Sequence, residues 1–144
     1  YQALRRQGAL PVLMDEGIVS PVETEEFIAL GMLDGIAMKV ARCGGLWNAS
    51  RIIKLLHDNG LALFASGLTD PELSLAASIH LFAAGGLAVP AALNGPQYLE
   101  GCGVTDPAWR AEGARIGLPQ RPGLGVMPGE AAARGLTLAA KIET

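Results

Sequence analysis

The sequence predicts an α/β fold: four parallel βα units followed by an irregular tail. Three observations predict it. Four short runs, LPVLM, DGIAM, LALFA and LAVPAAL, are almost wholly apolar, as strands buried on both faces of a parallel sheet are. Each run ends on polar residues, first Asp15 and Glu16, then Lys39, then Ser66, then Asn94. These ends recur roughly every 24 to 28 residues, the length of one strand, one helix and two short loops.

Taken in order, the opening YQALRRQGAL reads as a helix that leads into the first run. Strands are expected at about residues 10–15, 34–39, 61–66 and 88–93, parallel and joined by right-handed crossovers. Ser20 suits a helix N-cap, with Pro21 at the first helical position and Glu23 three residues after the cap, so that the two side chains can satisfy orphan backbone donors. That helix runs through Leu30 and stops at Gly31. The next carries Ile52, Ile53, Leu55 and Leu56 on one stripe, with Arg51, Lys54 and Asp58 outside it and Gly60 as its left-handed stop. Another begins at Asp70-Pro71, where Asp70 reads as an N-cap, and places Leu75, Ile79 and Phe82 at helical spacing. After Asn94 the pattern changes. The stretch from Val104 to Thr144 is rich in glycine and proline and shows no further βα unit, so the chain divides into residues 1–103 and a tail, 104–144.

Composition narrows the function. The chain has 144 residues, half of them apolar, enough for one core. Its formal charge of −3 is spread without a basic block, which speaks against nucleic acid and anionic membrane as partners. The most apolar region, Ile79 to Leu93, is broken by His80, two glycines and Pro90 and is too short to span a bilayer. Cys43 and Cys102 lack metal-ligand spacing, and both thiols are expected to be free in a reducing cytoplasm.

Four βα units fit half of an eight-stranded barrel or part of a doubly wound sheet, and the polar strand ends favour the barrel. The carboxyl ends of barrel strands form the active face, so Asp15 and Glu16 can line a site. Spacing alone leaves open the alternative that one of them caps the next loop or pairs with Lys39.

The MDEG motif, Lys39 in MKVARCGG 24 residues after Asp15, LFASGLTDPELSLAASIHL, ALNGPQYL and the closing PGLGV together resemble the C-terminal part of the enolase superfamily, in its muconate lactonizing enzyme subgroup. The resemblance covers nearly the whole chain. It implies the C-terminal half of a TIM-type (β/α) barrel, with a tail that packs on the barrel or on a capping domain. It also implies a Mg2+-dependent enzyme that removes a proton α to a carboxylate through an enolate, because a hard dication stabilises that charge. Asp15 matches the third metal ligand, Glu16 a neighbouring acidic position that orients Asp15 or Lys39, and Lys39 the catalytic lysine, a general acid or base or a cation beside the enolate. Ser66, Thr69 and Asn94 fall where substrate specificity is set.

Departures from the family pattern carry weight too. Arg42 occupies the place of a second lysine and reads as a structural ion-pair partner, since guanidinium stays protonated. His57 and His80 fall within helices, and no histidine ends the third run, which speaks against the His-Asp dyad of the mandelate racemase subgroup. Trp47 and Trp109 read as packing residues. The other two metal ligands and a second-strand lysine are expected upstream of Tyr1, so the chain is expected to be a fragment, inactive alone. As part of a parent enzyme, its reading is a dehydratase or epimerase acting on a small carboxylate, a proline or amino-acid derivative, in a homo-oligomer. The alternatives are a muconate cycloisomerase and a non-catalytic half-barrel that self-associates.

Overall fold

In the computed structural model, which describes residues 1–99, 105, 106, 109 and 111–135, three short strands lie side by side. They are β1 (Leu13–Met14), β2 (Gly35–Met38) and β3 (Ala62–Ala65), in the order β1-β2-β3, and both pairings are parallel. Helices α2 (Pro21–Ala29) and α3 (Leu46–Asp58) connect them, α1 (Gln2–Gln7) precedes them and α4 (Glu72–Gly85) follows. The expected parallel α/β sheet is therefore present.

Local chemistry sets the helix boundaries. Ser20 Oγ accepts the Glu23 N–H at 3.3 Å, and the Glu23 carboxylate accepts the Val19 N–H at 2.8 Å, so the cap reaches one residue further back than a simple reciprocal pair. Gly60, at φ 65°, turns the chain out of α3 into β3 in a conformation that a side chain would strain.

The strands alternate between two faces. Met14, Ile36, Met38, Leu63 and Ala65 point toward the helices and join Ile52, Ile53, Leu56 and Phe82 in one buried cluster. The residues between them, Leu13, Gly35, Ala37, Ala62 and Phe64, lie on the opposite face, as do Asp15, Lys39 and Ser66 by continued alternation. Leu13 and Ala62 are exposed on that face, which none of the described helices covers.

The fourth expected strand is reduced to one parallel bridge, Ser66 to Ala92, made by the Ala92 N–H on Ala65 O at 2.9 Å and the Gly67 N–H on Ala92 O at 3.2 Å. Pro90 accounts for the loss, since it has no N–H to give a ladder. A 3₁₀ turn, Pro96–Tyr98, follows. β1 is likewise shorter than expected. The Asp34 carboxylate takes the Val12 N–H at 2.8 Å in place of a neighbouring strand.

The tail is more regular than its composition suggests. β4 (Thr105–Asp106) and β5 (Met127–Pro128) pair antiparallel, and α5 (Glu130–Gly135) follows. Among the described residues the tail is tied to α4 where the buried Glu72 carboxylate accepts the Thr105 N–H and hydroxyl, both at 3.0 Å, and where His80 Nε2 lies 3.2 Å from Leu124 O. No helix among the described residues is long and apolar enough to cross a membrane.

At the amino end of the sheet, Asp34 binds Arg5 through Nε at 2.8 Å and Nη2 at 2.7 Å besides holding Val12. The Arg5 guanidinium, helped by the Val12 N–H, holds the Asp34 carboxyl below its ordinary value of 3.8. A depressed carboxylate contributes stability that is complete above the unfolded pKa and is lost as pH falls through the folded one. Acid titration of unfolding should therefore show a stability loss below about pH 4 that the Asp34→Asn variant, less stable at neutral pH, lacks. Leu56→Ala, which empties a fully buried position under the sheet, should cost roughly 2–5 kcal/mol by denaturant unfolding at any of these pH values.

Candidate functional site

β1 ends at Met14 and β2 at Met38, so Asp15, Glu16 and Lys39 step off the same end of adjacent parallel strands. The sheet alternation puts Asp15 and Lys39 on the face away from the helices. There Lys39 Nζ donates to Asp15 Oδ1 and lies 3.0 Å from Glu16 Oε1. The lysine side chain is only 8% exposed, whereas the two carboxylates are about half exposed, at 51% and 48%.

Two opposed effects act on Lys39. Burial pushes its ammonium down, but the Asp15 and Glu16 carboxylates together outweigh burial and hold it above the ordinary lysine value. In return the Lys39 hydrogen bond lowers the Glu16 carboxyl. In this arrangement Lys39 is a cation and a proton donor.

The turn after Lys39 fixes its backbone, because the Lys39 carbonyl accepts the Arg42 N–H at 3.1 Å and the Cys43 N–H at 3.2 Å. Cys43 is free and buried, and burial raises its thiol pKa. Cys102 lies outside the described residues.

Ser66 adjoins β2 through its N–H on Met38 O at 2.9 Å. Thr69 sits in the loop after β3 at φ 61°, the one left-handed residue other than glycine among those described. Asn94 is exposed, and its carbonyl accepts the Asp70 N–H at 3.1 Å. Thus the structure joins Asp15, Glu16 and Lys39 by direct contact and sets Ser66, Thr69 and Asn94 on the same sheet end without a side-chain bond to that cluster among the described residues.

Several expectations change. The reading of Asp15 and Lys39 as metal ligand and proton-transfer group implies a gap of roughly 4–8 Å between their functional groups, room for a substrate between them. They are instead in contact, because the one-residue overhang of each strand brings a buried ammonium directly under two carboxylates. Arg42 is exposed and has no ion-pair partner among the described residues. Trp47 is 76% exposed in the first turn of α3 rather than packed, while Trp109 donates its Nε1–H to Gly117 O at 2.9 Å. Asp70 does not cap α4 by its side chain. It is buried in the loop after β3, where Oδ2 accepts the Leu68 N–H at 3.1 Å and Oδ1 the Ser74 hydroxyl at 2.7 Å. Sequence reasoning passed over this loop role because Asp-Pro before a helix also reads as a cap.

The donor set fits a hard dication in kind and falls short in number. Asp15 and Glu16 offer half-exposed carboxylate oxygens at the strand ends, the ligand type magnesium selects. Among the described residues no group of three or more acidic, histidine or cysteine side chains could hold a metal ion. The two carboxylates are of the right kind for such an ion and by themselves too few to complete its coordination shell. A groove of about 890 Å³ lies elsewhere, bordered by Leu75, Leu93, Pro96, Arg115 and Ile116, and none of the six predicted site residues lines it.

Comparison with known proteins gives a consistent result. Residues 1–132 match the family described as enolase C-terminal domain-like. The chain is 32% identical over 124 residues to muconate cycloisomerase 1 of Rhodococcus opacus, covering 85% of this chain and 33% of that protein. It is 27% identical over 128 residues to an N-succinylamino acid racemase of Amycolatopsis sp, covering 89% of this chain and 34% of the relative. Among solved structures, a dipeptide epimerase from Cytophaga hutchinsonii, complexed with Mg and the dipeptide D-Ala-L-Val, superposes with a TM-score of 0.79 at 20% identity over 94% of this chain and 37% of that one. The chain thus spans about a third of the length of the relatives it matches.

The electrostatic coupling predicts a titration. Because hydrogen bonding from Lys39 is the leading cause of the lowered Glu16 value, Lys39→Ala should return the Glu16 carboxyl to its ordinary 4.5 or above, read by carbon NMR of the side-chain carboxyl. A Glu16 titration unmoved by that substitution would mean that the ammonium does not reach it in solution.

Proposed function

This chain belongs to the enolase C-terminal domain-like family of the enolase superfamily, and we propose that it forms the C-terminal half of a TIM-type barrel, residues 1–103 with 104–144 as its tail, in an enzyme that removes a proton α to a carboxylate. The observation that carries the proposal is the buried Lys39 held at the strand ends against Asp15 and Glu16. A carboxylate adjacent to the breaking C–H bond must take up the electron pair as an enolate, so the site needs positive charge near those oxygens and a group that moves the proton.

Lys39 moves the proton. With both carboxylates on it the side chain is an ammonium, able to deliver a proton to the α-carbon or to stand as a cation beside the enolate. To accept a proton it must first lose its own, which requires the Asp15 contact to loosen so that burial governs its pKa. Asp15 would hold magnesium, with Glu16 orienting Asp15 or Lys39, and the bound dication would supply the charge that neutralises the enolate oxygens. Ser66, Thr69 and Asn94, on the same sheet end, would contact the substrate.

For substrate, we favour a proline or amino-acid derivative undergoing dehydration or epimerisation, supported by the SGLTDPELSLAAS and ALNGPQYL segments and by the racemase relative. Muconate cycloisomerisation is the second reading, favoured by the 32% identity to the cycloisomerase. The same reading makes the enzyme a cytoplasmic homo-oligomer that uses neither nucleic acid nor membrane. Two carboxylates are too few for tight magnesium binding, so the 144-residue chain by itself is proposed to be inactive.

Proton exchange and metal binding separate the roles. In the intact enzyme, Lys39→Ala should abolish exchange of the substrate α-proton with deuterium from one face while magnesium affinity by calorimetry stays nearly unchanged. Asp15→Asn should weaken magnesium binding first and activity with it, since an amide oxygen is the poorer ligand. The 144-residue chain alone should show neither property. A Lys39→Ala enzyme with full exchange would leave Lys39 only an ion-pair role, and turnover by the chain alone would mean that a second copy supplies the missing groups or that the α-proton reading is wrong.

A further inference from the structure

The loop after β3 is built around a buried acid that the mechanism above does not use. Asp70 is 6% exposed, and no ion-pair partner meets it among the described residues. A carboxylate withdrawn from water without a counter-ion is costly unless its oxygens are hydrogen-bonded, and here they are. One oxygen takes the Leu68 N–H at 3.1 Å and the other the Ser74 hydroxyl in the first turn of α4 at 2.7 Å. The start of α4 adds its own favourable dipole.

The same loop is fastened to the Asn94 turn. The Gly67 N–H donates to Ala92 O at 3.2 Å and the Asp70 N–H to Asn94 O at 3.1 Å. A Cβ on Gly67 would stand 2.8 Å from Asn94 N and 3.1 Å from Asn94 O, so the loop and the turn approach more closely there than a side chain allows. Between these fixed points sits Thr69 at φ 61°. A β-branched residue in the left-handed region is strained and persists only where its surroundings over-determine it.

We propose that Asp70 is a positioning residue: its carboxylate ties Leu68 to Ser74 at the start of α4 while its backbone N–H fastens the loop to Asn94, and together they hold Thr69 in a strained left-handed conformation that sets it at the rim of the Lys39 site as a specificity determinant for the carboxylate-bearing substrate. The proposal rests on the α-proton reading of that site. It explains why a buried acid, a glycine at a close approach and a strained threonine occur within four consecutive residues, 67 to 70. It also couples two loops, so that Thr69 and Asn94 face the substrate as one preformed unit.

Three variants of the intact protein test it. Asp70→Ala should speed hydrogen exchange at the amides of Leu68 and residue 70 by roughly tenfold while leaving Ile52 and Leu56 unchanged, and should raise KM by roughly tenfold with kcat within about twofold. Asp70→Asn should restore all of these, because its amide can accept from Leu68 while donating to Ser74. Thr69→Gly, which removes the strain and the side chain together, should raise the melting midpoint by a few degrees and relax discrimination among carboxylate substrates. Faster exchange throughout α3 in Asp70→Ala, a KM unchanged in that variant, or a lower midpoint in Thr69→Gly would each overturn the proposal. A wild-type protein without α-proton exchange would overturn the preceding functional reading instead, and the clamp would then be judged by amide exchange and melting alone.

Discussion

An ammonium buried at the end of a parallel strand is tolerable only where carboxylates stand against it, and that requirement organises this molecule. Lys39 loses most of its water when β2 is covered, and the desolvation is offset by Asp15 and Glu16, which reach it only if β1 lies next to β2 in its observed register. A shift of one residue would turn Lys39 toward the helices, into the cluster of Ile36, Met38, Ile52 and Leu56, with no partner for its charge. The pair is thus weak evidence for stability and strong evidence for register. The pair is also asymmetric: the lysine is buried and the carboxylates are half exposed, so solvent can reach the acids without first uncovering the ammonium.

The opposite end of the sheet uses the same chemistry for another purpose. Asp34 sits just before β2 and gathers Arg5 from α1 and the Val12 N–H that leads into β1. All of its bonds are local to the sheet's amino edge and hold elements in place. At the carboxyl edge one buried ammonium meets two half-exposed carboxylates. In parallel α/β folds this division between a structural amino end and a chemical carboxyl end is the expected one, and here each end is marked by an acid meeting a base, from α1 to the start of β2 at the amino end and across β1 and β2 at the carboxyl end.

The parts of this design that repeat at short range were legible in the sequence. The period of apolar runs located β1, β2 and β3, the Ser20-Pro21-Glu23 pattern located the start of α2, and Gly60 the end of α3. Strand-end logic also placed Asp15, Glu16 and Lys39 at one edge. What it could not give was distance: whether Lys39 touches the acids or leaves a gap depends on strand stagger and on competition between burial and charge, neither of which is periodic. The fourth run shows the opposite failure. Its apolar pattern suggested a strand, yet Pro90 was in plain view as a breaker, and hydrophobicity was given more weight than the missing N–H. Arg42, Trp47 and Asp70 were misjudged because each was read by residue type, while its role depends on residues brought near it by the fold.

The two faces of the sheet bring fold and proposed chemistry together. The helix-facing side holds the large apolar residues, as a sheet needs in order to fold at all. The other side carries Gly35, Ala37 and Ala62, small residues, with Leu13 and Phe64 as its bulk and Asp15, Lys39 and Ser66 at its carboxyl rim. Where such a face is enclosed, small and large side chains alternate to fill the space between strands. The gradient along this face, from apolar at the middle to charged at the rim, also suits a closed interior whose mouth alone meets solvent. Within such an interior the water that now reaches Asp15 and Glu16 from one side would be confined to the mouth, and the contest between burial and charge at Lys39 would be set by whatever occupies it.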